Sequence, residues 1–159
     1  MTEPARNLNL LSEGNAVQQP DRSRNFRLNS DRQDFQERVR KSEWLRQVSL
    51  RLDELCALDA GWDGYSSEKV RFSTADFVNQ FLQEVYFDGL PTPALVPSSD
   101  GGIQVEWVEG QANAIEALVD RPNHMECFVA IEGHDDQEFI CRSDFQLLKD
   151  ALELYKSHV

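Results

Sequence analysis

The sequence predicts an α+β fold: a two-layer sandwich in which an antiparallel sheet of four or five strands is covered by two N-terminal helices and one C-terminal helix. Apolar residues recur at helical steps before Pro93 and after Ser143, and they alternate with polar residues in between. Glycine, proline and an Asp-Gly pair punctuate each change of period. Strands with a single apolar face need cover, and amphipathic helices supply it.

Residues 1–30 mix Asn, Gln, Ser, Arg and Pro without an apolar period and read as a flexible arm, whereas residues 31–159 read as one domain. From Asp31 onward, Phe35, Val39, Leu45, Val48, Leu52 and Leu55 fall at helical spacing, with Ser42 in the one gap. This predicts a long helix ending near Ala60, where Gly61 suits a C-terminal cap. A second helix is expected from Ser73, with Ser73 and Asp76 as a capping box and Phe77, Phe81 and Val85 on one face beside Val78 and Leu82. Gly89, Pro91 and Pro93 forbid its continuation.

Residues 94–96 are a short strand stopped by Pro97, a pattern suited to a sheet edge. Asp100-Gly101 turns the chain into a strand over 103–108, with Ile103, Val105 and Trp107 on one face and Gln104 and Glu106 on the other. Further strands are expected over 112–119, 125–131 and 138–142, separated by turns at 109–111 and 120–123. Ser143 with Gln146 reads as the capping box of a last helix, whose stripe is Phe145, Leu148, Leu152 and Tyr155.

At 159 residues the chain suits one folded unit. Its net charge of −12 is divided unevenly: residues 1–51 carry +3 and residues 52–159 carry −15. So acidic a body repels nucleic acid and attracts basic surfaces. No window approaches the roughly 18 apolar residues of a membrane span, and no apolar segment follows a basic start, so a cytoplasmic location without export is expected. Cys56, Cys127 and Cys141 are odd in number and sit among apolar neighbours, which reads as reduced, buried thiols.

The stretch Gly61-Trp62-Asp63-Gly64-Tyr65 is read first as the corner after the first helix and second as a recognition surface. Counted from Asp59 as a calcium loop, it has Gly61 at the third position and Val70 at the twelfth, so the bidentate ligand is missing. Asp100 with Glu106, or Glu106 with Glu116 across a hairpin, could act as acid and base, but their alternation with apolar residues reads as an outer strand face. His124 with Cys127, and His134 with Cys141, lack the paired turn spacing of a zinc site. No activated nucleophile or phosphate-cradling loop is present in the sequence. The arm and first helix carry Arg22, Arg24, Arg27, Arg32, Arg38, Arg40, Lys41, Arg46 and Arg51, interrupted by Asp31, Asp34, Glu37 and Glu43.

Through GWDGY, then PTPALVP, then DGGIQVEW, residues 55 to about 120 resemble a group of small, uncharacterised bacterial and phage-borne proteins sharing GWDG, a proline-flanked strand and DGGI-x-x-EW. The resemblance implies a compact accessory protein of prokaryotic origin, and no catalytic residue comes with it.

The first functional expectation is a non-enzymatic acidic protein that binds and masks a basic protein partner, as an antitoxin, immunity protein or phage inhibitor does. Trp62, Asp63, Tyr65 and Trp107 are its expected contact residues. The alternative is a DNA-associated regulator using the Arg-bearing arm and first helix; a metal-dependent hydrolase on the acidic hairpins comes last. No cofactor, metal ligand or membrane partner is assigned; the basic arm can lie on the acidic body of its own or a neighbouring chain, and a homo-oligomer is one expected state.

Overall fold

The structure, a computed structural model, describes the backbone of residues 22–159 and the side chains of residues 29–159. Positions 1–21 of the expected arm lie outside the described residues. Of the two units into which the chain divides, Met1–Asp34 and Phe35–Val159, the second holds the sheet and its core.

The elements are α1 (Arg22–Cys56), α2 (Phe72–Val85), β1 (Ala94–Pro97), β2 (Ile103–Glu109), β3 (Asn113–Arg121), β4 (His124–Ala130), β5 (Gln137–Cys141) and α3 (Gln146–Lys156). The strands form one antiparallel meander in the order β1-β2-β3-β4-β5. This is the α+β arrangement expected, with an N-terminal helix pair and a C-terminal helix. Ile103, Val105, Trp107, Ile115, Ala117, Val119, Met125 and Val129 point inward by strict alternation and are buried. They meet Phe77, Phe81 and Val85 of α2 and Leu148, Leu152 and Tyr155 of α3 in one core.

Phe145, the residue just before α3, packs its ring 6.0 Å from Phe77 and 5.7 Å from Phe81, joining α3 to α2. Trp107 closes the far side of this core, its indole Nε1 donating to Pro91 O at 2.9 Å. That bond ties the second strand to the proline-rich stretch that ends the helical half of the chain.

α1 departs from expectation at both ends. It begins at Arg22, so positions 22–30 of the expected arm are helical, and it ends at Cys56, before Ala60. Its core face is Trp44, Val48, Leu52 and Leu55, whereas Phe35 and Val39 stand 59% and 50% exposed. The apolar stripe therefore extends beyond the core, and only the half from Trp44 onward finds cover. Trp44 rests edge-on against Tyr86, with ring centroids 5.1 Å apart.

Neither capping box forms. α2 starts one residue early, with Arg71 at the cap, so Ser73 is already inside the first turn; Asp76 accepts from Gln80 instead. At α3 the Gln146 N–H goes to Asp144 Oδ1 at 2.9 Å, one residue beyond Ser143.

The loops are fixed by close backbone approach. Gly101 adopts φ +82°, and a Cβ there would lie 2.8 Å from Lys69 O. Gly101→Ala is expected to cost about 1–3 kcal/mol. Gly110→Ala, at a positive φ with open space around it, should cost less when both variants are compared by urea titration.

Arg40 grips Asp88 through two bonds, at 2.6 and 2.9 Å, and this pairing holds the Asp88 carboxyl below its ordinary range. A carboxyl depressed in the folded state adds stability above its unfolded pKa of about 4 and loses that stability as pH falls through the folded value. The stability advantage of the native chain over Asp88→Asn should therefore be full near pH 6 and shrink steadily below about pH 4, measured as paired urea midpoints.

Candidate functional site

Two places gather exposed functional groups. The first is the corner after α1, where Gly61 N–H donates to Ser67 O at 2.9 Å and Gly64 N–H to Gly61 O at 2.9 Å, closing a short loop. The Asp63 carboxylate accepts the Tyr65 N–H at 2.9 Å, and that bond lowers its pKa from the ordinary value. With its acid turned onto its own backbone, the loop leaves Trp62 36% and Tyr65 87% exposed.

Behind this loop the chain is laced to the β1–β2 hairpin. Glu68 N–H donates to Ser99 O at 2.8 Å and Arg71 N–H to Gly101 O at 3.2 Å. The Arg71 guanidinium bonds Asp120 O at 2.7 Å, Glu68 Oε2 at 3.0 Å and Asp100 O. Asp100 itself accepts the Gly102 N–H, so it serves the turn and does not face Glu106.

The second place is the outer face of the sheet. Register aligns two rows of side chains across all five strands: Val96, Gln104, Leu118, Glu126 and Ile140 in one, and Ala94, Glu106, Glu116, Phe128 and Glu138 in the other. Leu118, Phe128 and Ile140 floor a hollow of about 510 Å³, edged by Glu116, Glu126 and Glu138. Glu106 lies directly opposite Glu116, and like charges so placed repel. Gln104 Nε2 donates to Glu116 Oε2 at 3.2 Å. The one cation between Ala94 and Cys141 is Arg121, at the end of β3, and it pairs with Asp120. Among the described residues, Glu106, Glu116, Glu126 and Glu138 form no ion pair around this apolar floor.

The expected contact residues divide accordingly. Trp62, Asp63 and Tyr65 sit together at the corner. Trp107 does not join them: it is 2% exposed on the covered face, as the period of two from Ile103 and Val105 requires. It is a core anchor and unavailable to a partner. Glu126, Glu138, Phe128 and Ile140, absent from the expected set, enter the site because β4 and β5 continue the rows; their alternation was visible in sequence, but their alignment needed the register.

The remaining titratable groups are dispersed. His124 Nδ1 lies 2.8 Å from Asp120 Oδ1, while Cys127 is buried on the opposite face, its thiol pushed up by Cys141 beside it and by burial. His134 meets His158 edge to face, with ring centroids 5.4 Å apart. Among the described residues, no three His, Cys, Asp or Glu side chains gather as a metal ion requires. No described helix is long and apolar enough to cross a membrane. On α1, Arg40 is held by Asp88, Arg46 by Glu43 at 2.8 Å and Arg51 by Glu54 at 2.9 Å. The Arg46 partner holds the Glu43 carboxyl down to about 2.

Compared with protein-family models, curated proteins and solved structures, the chain matches none.

The division of the aromatics is directly measurable. Trp107→Ala should destabilise the fold by about 3–5 kcal/mol. Tyr65→Ala should stay within about 0.5 kcal/mol of the native chain in the same denaturation experiment.

Proposed function

We propose that this is a non-enzymatic acidic protein that binds and masks a basic protein partner, in the manner of an antitoxin, immunity protein or phage inhibitor, and that the outer sheet face is its principal contact surface. The observation that carries this reading is the set of four glutamates, Glu106, Glu116, Glu126 and Glu138, placed around Leu118, Phe128 and Ile140 with no cation paired to them among the described residues. An apolar centre with charged surroundings is the anatomy of a protein interface. Uncompensated carboxylates supply steering toward a cationic partner and choice among partners.

Trp62 and Tyr65 support a second contact at the corner, since aromatic side chains are favoured anchors. The DNA-associated alternative has less support, because Arg40, Arg46 and Arg51 are committed to carboxylates within the chain.

Pull-down from the native host with the native chain should recover one basic protein in stoichiometric amount, and the triple variant Glu116→Gln, Glu126→Gln, Glu138→Gln should lose it. Equal recovery by both chains would remove the outer face from the reading. The same charges make a second prediction on the isolated protein. Relieving the Glu106–Glu116 opposition through Glu106→Gln should raise stability by roughly 0.2–1 kcal/mol, a gain that fades at high salt.

A further inference from the structure

The two edges of the sheet are treated differently. An edge strand presents a row of backbone N–H and C=O groups that another chain can pair with, and proteins usually block it. β1 is blocked: it is four residues long, its Pro97 has no N–H, and Arg51 Nε donates to Leu95 O at 3.2 Å. β5, at the other margin, contains no proline. Among the described residues, no group outside β4 hydrogen-bonds to its main chain. Glu138 and Ile140, the two β5 residues on the outer face, are both exposed.

We infer that β5 is a docking edge for an extended basic segment of the partner, which adds to the sheet as a sixth strand. This rests on the reading above and specifies how the basic partner is held. The register dictates the guest's pattern. A residue paired with Glu138 extends the row containing Glu106 and Glu116, and one paired with Ile140 extends the row containing Leu118 and Glu126. Side chains two apart share a face. The guest therefore places a Lys or Arg beside Glu138 and an apolar residue two positions away beside Ile140. A second copy pairing through its own β5 fits poorly, since it brings Asp135, Asp136 and Glu138 to the same edge with only Arg142 in return.

The test uses the full chain and two probes: a capped heptapeptide Thr-Lys-Thr-Val-Thr-Lys-Thr, which sets lysine and valine two positions apart on one face, and the same peptide N-methylated at every backbone nitrogen. The second keeps the charge and apolar groups but cannot pair as a strand. In low-salt NMR titrations the plain peptide should bind at least about tenfold more tightly than its N-methylated analogue. Amide exchange in β5 should slow on binding while exchange in β1 stays unchanged, and Glu138→Gln should weaken the plain peptide severalfold. Equal binding of both peptides would overturn strand addition and leave the acidic surface standing. Binding of neither would overturn both. Slowed β5 exchange that follows protein concentration alone, with a doubled mass, would assign the edge to a second copy and overturn the inference.

Discussion

The register between β2 and β3 is the constraint on which the rest of this structure depends. Ile103 faces Val119, Val105 faces Ala117 and Trp107 faces Ile115, all pointing into the layer of helices. A slip of one residue would turn every one of these side chains to water. The hydrophobic demand of the covered face thus selects one alignment. That alignment also decides what the other face looks like, because Glu106 can then stand only opposite Glu116. The acidic surface is tied to the core: the same pairing that buries Trp107 lines up the carboxylates.

A second constraint holds the sheet to the corner. The GWDGY loop and the DGG hairpin lie nearly forty residues apart in sequence, yet the segment just after the loop is bonded to the hairpin through Glu68 and Arg71, and Arg71 reaches on to Asp120 O. Gly102 belongs to this junction, since a Cβ there would lie 2.7 Å from Val119 O. Gly101 and Gly102 are therefore the residues that let three stretches of backbone, at Lys69, the hairpin and Val119, approach closely. Their shared role is architectural, and the exposed Trp62 and Tyr65 are carried on a rigid frame because of it.

The strands were legible because period-two alternation records burial directly: the inward set from Ile103 to Val129 and the edge position of β1 both follow from it. The long helix was legible in kind but not in facing. Phe35 and Val39 match the helical period as well as Val48 does, and nothing in a one-dimensional pattern says where the covering layer stops. Trp44 lies four residues before Val48 and could have been placed on the core face by that spacing. The helix caps failed because a shift of a single residue moves a serine from cap to first turn. Trp107 matches an interface anchor by residue type, but its place two residues after Val105 in the strand turns it inward. The glutamate rows were half legible: Glu106 and Glu116 share one hairpin, whereas Glu126 and Glu138 join them only through two further registers that no local pattern encodes.

The sealing of β1 by Pro97 and Arg51 has a consequence for stoichiometry. A sheet with two open margins can link molecules into an unlimited ribbon, because each addition exposes a new site at the opposite end. With one margin closed, growth from this molecule runs in a single direction, and a guest that offers no free margin of its own ends it. On the strand-addition reading the protein is a terminus: it caps one other chain and does not thread a series of them.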